Sequence, residues 1–223
     1  MIRFFTATSS LGKWLSVCFL ALNLSACSTV KYNTLEKFGI HKRDILVGNV
    51  EDARDSQEDA QEQFKDALER FGSVVQIADT DLKQAYDQLS DEYEESTDAA
   101  EEVSDRIDEV DEVAMDLFEE WKDEISLYTD ANFKRDSETK LRETQQRYSD
   151  LAKAMRASEA SMGPVLATMQ NNVLYLKHNL NAQAIGALQN SYNGLETDVE
   201  ILIERMNQSI ERSNRFIANM NAG

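Results

Sequence analysis

The sequence is poor in the residues that break chains or catalyse reactions. Its 223 residues include one proline, eight glycines, two cysteines and two histidines. So few turn-formers cannot punctuate many strands, which moves the expectation to helices. The histidines are His41 and His178, and the residue three before His178 is Tyr175, where an inward di-iron Glu-x-x-His motif needs a glutamate. There is no G-x-S-x-G, no phosphate-binding glycine loop, no H-E-x-x-H and no dinucleotide fingerprint. Calcium loops of the D-x-D-x-D-G type are likewise missing. No residue is therefore assigned a catalytic, cofactor-binding or metal-binding role, no cofactor is expected, and the chain is read as a non-enzyme.

Positive charge is scarce as well. Lys and Arg number 23 against 41 Asp and Glu, giving a formal net charge of −18. A surface that acidic repels phosphate backbones, so nucleic acid is excluded as a partner. The acids are also unevenly placed. Residues 51–130 hold 29 acids against six bases, whereas residues 131–223 hold ten against eleven. The simpler explanation is that the acids form the solvated faces of the first two helices, with Lys134, Arg135, Lys140, Arg142, Arg147, Lys153 and Arg156 beside them. The functional explanation is a docking face for a basic protein or for loosely held divalent cations.

Long apolar runs are absent too, and the longest stretch, Trp14–Leu24, is too short for the ~20 residues that span a bilayer. It suits the ~7–15 residues of a signal-peptide core, preceded by Arg3 and Lys13 with no acid. Leu24-Ser25-Ala26-Cys27 follows at once. This tetrapeptide resembles the lipobox cut by the lipoprotein signal peptidase, in which the cysteine takes a diacylglyceryl group. Residues 1–26 are thus expected to be a lipoprotein signal peptide and Cys27 the lipidation site. Multiple acyl chains suffice for stable anchoring. Ser28 stands where an aspartate would favour inner-membrane retention, so the expected location is the outer membrane, facing the periplasm. Cys18 would leave with the leader, which removes any internal disulfide or thiol nucleophile from the mature chain.

Residues 27–43 read as a lipidated tether, basic on balance through Lys31, Lys37, Lys42 and Arg43 against Glu36. Such a segment serves as an ordinary linker or lies against anionic headgroups. Fully extended it reaches only ~50 Å.

Residues 44–223 are expected to form an acidic helical bundle. Leu46, Val50, Ala53, Gln57, Ala60, Phe64, Ala67, Phe71, Val74 and Ala78 follow alternating steps of four and three. So do Leu82, Tyr86, Leu89, Tyr93, Ser96, Ala100, Val103, Ile107, Val110, Ala114, Leu117, Trp121, Glu124 and Tyr128. This is the stripe of long helices packed side by side. A helix end near Ile77–Ala78 and a restart at Asp79 or Thr80 are expected, the alternative being one continuous helix with a stutter. The second helix would run ~75 Å to Tyr128. Thr129–Asn132 reads as a turn, and a third helix starts near Asp136 with Leu141, Tyr148, Leu151, Met155 and Met162 on its stripe. Gly163-Pro164 ends or kinks it, and Val165, Met169, Val173, Leu176 and Leu180 continue the pattern. The last helix carries Leu195, Val199, Leu202, Met206, Ser209, Ser213, Phe216 and Met220, starting near Asn181 or after Asn193-Gly194. The expected architecture is all-α: about four long antiparallel helices in an elongated bundle with coiled-coil character. Phe64, Tyr86 and Trp121 are expected in its core. The amide-rich segment 173–185 around His178 either caps a turn or forms a local binding patch.

Three segments carry a family resemblance: Val47–Glu58, Leu141-Arg142-Glu143-Thr144 with Arg147-Tyr148, and Leu176–Ile185. Together they resemble a domain-of-unknown-function family of Gram-negative helical lipoproteins, over the whole mature chain. The resemblance implies the anchor and the helical body, and brings no catalytic or binding residues.

Two functions fit these features. The first is a lipid-anchored structural or interaction protein that holds an envelope partner through helical faces. The second is a helical ligand-binding or chaperone-like module for lipid or a basic protein, with Met155, Met162, Met169 and Met206 as an adaptable lining. An exposed seam would imply a homo-oligomer, while four helices can also bury their own stripes.

Overall fold

A computed structural model describes residues 42–76, 81–179 and 182–222. The expected signal peptide, Cys27, the tether up to His41, and Ala78, Asp79, Thr80, Leu180 and Asn181 lie outside the described residues. The chain divides into two units, Met1–Lys42 and Arg43–Gly223. Apart from Lys42, the first residue of α1, the second holds the four described helices: α1 (Lys42–Gln76), α2 (Leu82–Leu127), α3 (Ala131–His178) and α4 (Ala182–Ala222). Among the described residues there is no strand. The fold is an all-α antiparallel helical bundle.

The two middle helices begin where the sequence supplies a capping aspartate. The Asp81 carboxylate accepts from the N–H groups of Lys83 (2.9 Å) and Gln84 (3.2 Å), which opens α2. Asp130 does the same for Asn132 (2.7 Å) and Phe133 (3.2 Å) and opens α3 at Ala131, five residues before the expected Asp136. A capping carboxylate satisfies N–H groups that a helix leaves unpaired, worth about 1 kcal/mol.

Contacts between helices fix the register. Asn49 on α1 donates to the Glu109 carbonyl on α2 (3.2 Å), and Gln63 and Arg70 meet Glu92. Trp121 donates to Ser137 (2.8 Å) across α2 and α3. Asn172 on α3 donates to Ser191 on α4 (3.0 Å). Along α1 and α4, Arg43 reaches the Met220 carbonyl, Gln61 meets Asn207 (3.0 Å) and Gln189 meets the Val75 carbonyl (2.9 Å). With Ser104–Glu159 as a second contact of α2 and α3, and Tyr148–Phe216 of α3 and α4, residue numbers rise on one helix as they fall on the other in each pair, so successive helices run antiparallel. Through the interior, Ser158 on α3 donates to Gln57 on α1 (3.4 Å).

The expected stripe of α1 is buried at all nine described positions, from Leu46 to Val74, including the polar Gln57. Leu195, Val199, Leu202, Met206, Ser209, Ser213, Phe216 and Met220 are buried on α4, as are Leu151, Met155, Met162, Val165, Met169, Val173 and Leu176 on α3. Removing each large apolar side chain from water contributes about 1.5–3 kcal/mol. On α2 the stripe is buried at Leu89 and from Ser96 to Ala114, with Tyr93 between them half-buried, but it departs at both ends. There Ala85 and Ile125 are buried, while Tyr86 and Trp121 are half-buried and Glu124 and Tyr128 exposed. Of the three aromatic residues expected in the core, only Phe64 is fully enclosed.

Gly163-Pro164 does not end its helix, and of the two starts expected for the last helix the one near Asn181 is observed. α3 runs through Gly163-Pro164, both of which are exposed, and α4 starts at Ala182 and runs through Asn193-Gly194. Burial of flanking stripe residues, Met162 and Val165 in α3 and Leu195 in α4, outweighs the local cost of the breakers.

The helices do not all end together. Counting from the Asn49–Glu109 contact, Arg43 lies level with about residue 115 of α2. From the Tyr148–Phe216 ring contact (centroids 6.4 Å apart), the end of α4 lies level with about residue 142 of α3. The end of α2 and the start of α3 therefore continue as a two-helix hairpin for roughly 20 Å beyond the four-helix part. Ile125, Ser137 and Leu141 are buried along this hairpin, beside the Trp121–Ser137 hydrogen bond.

Candidate functional site

The acidic runs of the sequence lie on α1 and α2, and a groove between these helices gathers part of them. Asp66, Glu69, Glu92 and Glu95 line it with Gln63, Arg70 and Ser73, around a volume of about 440 Å³. Four carboxylates thus face one guanidinium. Glu92 is drawn inward, its side chain 15% exposed, because Gln63 (3.3 Å) and Arg70 (3.4 Å) both donate to it. The Ser73 hydroxyl donates to the Arg70 carbonyl (2.7 Å) within α1. Asp66, Glu69 and Glu95 are exposed. The groove is an open anionic surface suited to lysine or arginine side chains. Among the described residues no group of three or more His, Cys, Asp or Glu is arranged to hold a metal ion.

The basic residues of α3 only partly neutralise this acidity. Arg156 bridges to Asp108 and Asp111 on α2 while also holding Glu159 (3.0 Å) on its own helix. Burial lowers the affinity of its guanidinium for a proton, but the three carboxylates outweigh this and hold it above its ordinary value. Tyr148 donates to Asp111 in the same cluster. Burial first, then that hydrogen bond, raises the Tyr148 hydroxyl well above its usual range. Phe118 stands edge-on to Tyr148, with centroids 5.5 Å apart. This cluster ties α2 to α3 just below the hairpin. Lys140 and Lys153 instead pair with Asp136 (3.1 Å) and Asp150 (4.0 Å) on their own helix. The placement of α3's bases beside the acidic helices is thus realised across the interface by Arg156, while these lysines stay local.

His178 is the last residue of α3 and is exposed. The amides around it act mainly on backbone: Asn179 bonds the Tyr175 carbonyl (2.9 Å), and Asn172 bonds the Thr168 carbonyl (2.7 Å) besides Ser191. Met155, Met162, Met169 and Met206 are buried, none above 5% exposed, as gap-filling core residues. Cys27 lies outside the described residues.

A family model described as a protein of unknown function (DUF2959) matches residues 31–220. The chain belongs to that family. No curated protein and no solved structure matches it. The DUF2959 match spans the helical body except its last two residues and indicates no catalytic family. The sequence placed Arg156 beside the acidic helices in general, but its particular partners Asp108 and Asp111, and the pairing of Arg70 with Glu92, depend on how helices align with one another.

Proposed function

We propose that this chain is a non-enzymatic interaction protein, lipid-anchored through Cys27 on the periplasmic side of the outer membrane, that docks an envelope partner through the faces of α1 and α2. The observation that carries the reading is the acidic groove between those helices. Its exposed carboxylates, Asp66, Glu69 and Glu95, have no equal number of neighbouring cations. A fixed surface of one sign steers and orients a partner of the other sign. The partner's contact segment is accordingly basic, and its binding weakens as salt screens the charges. The anchor reading is supported by the basic leader, the apolar run and Leu24-Ser25-Ala26-Cys27.

Two variants test the two halves separately. Cys27→Ala moves the protein from the membrane to the soluble fraction if the lipid holds it, and retention in the membrane contradicts the anchor. Reversing Asp66, Glu69 and Glu95 together to lysine leaves the anchor in place and abolishes salt-sensitive co-purification of the basic partner. Unchanged co-purification contradicts the docking face.

A further inference from the structure

The hairpin formed by α2 and α3 ends in apolar side chains that no other described residue covers. Leu127 is 77% exposed, Phe133 66% and Tyr128 46%. They sit at the last residue of α2, the following residue, and the first turn of α3. A Leu, a Tyr and a Phe on one projecting turn form an apolar tip with an amphipathic ring at its base. Ile125, by contrast, is buried between the two helices, so the tip residues are not spare packing for the hairpin itself.

The charges at the tip differ from those on the rest of α2. Residues 127–135 contain one carboxylate, Asp130, and two cations, Lys134 and Arg135. Asp130 is occupied by the backbone N–H groups of Asn132 and Phe133. Behind them the acids resume, with Asp136 directly after Arg135 and with Asp123 and Glu124 a turn before Leu127, beside Lys122. Apolar residues outermost, cations at their base and acids behind form the gradient of a segment that enters a lipid interface to a shallow, fixed depth.

The position of the tip adds an independent argument. Residues preceding Arg43 enter the helical body at the start of α1, and the hairpin projects beyond that same end by roughly 20 Å. A tether from Cys27 to Arg43 reaches up to ~50 Å, long enough for the tip to meet the surface in which the anchor sits. The tip is also small and convex. A stable protein interface needs about 800 Å² from each partner, which three side chains on a turn do not offer, whereas fluid lipid closes around a convex wedge.

We propose that the α2–α3 hairpin tip is a second membrane contact, seating Leu127, Tyr128 and Phe133 in the headgroup region of an anionic bilayer, with Lys134 and Arg135 on the phosphates. The proposal rests on the lipid-anchor reading for the end of the bundle that faces the membrane. The contact orients the bundle away from the bilayer and leaves the α1–α2 groove open to the periplasm.

The test uses the full chain purified from membranes and reconstituted into phosphatidylethanolamine–phosphatidylglycerol vesicles that carry nitroxide-labelled lipid. An environment-sensitive fluorophore is placed at Tyr128→Cys or, at the far end of α2, at Lys83→Cys. The unsubstituted chain treated in parallel reports any labelling of Cys18 or Cys27. The expected result is several-fold stronger quenching at position 128 than at position 83. Adding Leu127→Asp and Phe133→Asp removes that quenching while the chain still floats with the vesicles. Equal quenching at the two positions, no quenching at 128 in a floating chain (the result a protein-covered tip would give), or failure of the chain to float overturns the proposal. Flotation of Cys27→Ala is the separate check on the anchor. If that variant floats and stays quenched at 128, the anchor reading fails and the tip contact stands.

Discussion

Pro164 should be a net burden on the stability of α3. The helix runs from Ala131 to His178 without interruption, so the proline ring removes the bond that residue 164 would donate to the Ala160 carbonyl. In a helix interior this costs about 3 kcal/mol relative to alanine. Two terms reduce the figure. Ala160 is exposed, so water solvates its carbonyl, and alanine returns about 0.4–1 kcal/mol of unfolded-state entropy. Pro164→Ala is therefore expected to stabilise the protein by about 2 kcal/mol, raising Tm by roughly 4–8 °C for a body of this size. Urea denaturation followed by far-UV circular dichroism measures it, with an unchanged slope showing that the surface exposed on unfolding is the same. Gly163→Ala is the companion, since a Cβ there meets nothing within 4 Å, and it is expected to add about 1 kcal/mol. A Pro164→Ala protein less stable than the parent would refute the continuous helix, because it would mean that the ring holds a necessary bend or break.

Phe64, with no exposed surface, is expected to cost about 3–5 kcal/mol when replaced by alanine, read as a lower urea midpoint. Gly72→Ala should forfeit the gain that Gly163→Ala shows, because its Cβ would stand 3.0 Å from the Tyr192 hydroxyl and 3.2 Å from the ring. That ring is stacked on Phe71 with centroids 6.0 Å apart and has little freedom to retreat; equal gains at the two glycines would contradict this packing. Tyr148 has a raised pKa in the folded state, so its neutral form is the one the fold favours. The stability it contributes is complete below the ordinary tyrosine pKa of about 10 and is lost as pH rises above that value. Tyr148→Phe should flatten the alkaline fall of stability, and absorbance titration of the folded parent should find one tyrosine that resists ionisation.

The architecture was legible because a four-and-three stripe persists over long segments and burial of that stripe dominates helix packing. Gln57 illustrates the strength of the signal: a polar residue placed on the seam by spacing alone is fully enclosed. The errors have particular causes. A strict heptad drifts ~20° per repeat against a straight helix, and over the 46 residues of α2 this carries the extrapolated seam off the buried face. Ile125 takes the interior position that the repeat assigned to Glu124, and Ala85 is the fully buried residue beside Tyr86. Gly163-Pro164 misled in another way, since local propensity is worth a few kcal/mol and the apolar residues on either side contribute more. The groove and the projecting hairpin were not legible at all. Both depend on how far each helix is shifted along its neighbour, and that shift is set by pairs such as Asn49–Glu109 and Trp121–Ser137 whose partners no spacing rule connects.

The measurement that bears most directly on the central claim is in-cell photo-crosslinking with a reactive residue placed at Asp66, Glu69 and Glu95 in turn, and at Glu196, Glu200 and Glu204 on α4 as a comparison. The account predicts one dominant envelope protein captured from the three α1–α2 positions, through a basic segment, and little from α4. Scattered adducts, or the same yield from both sets, would contradict a docking face between α1 and α2.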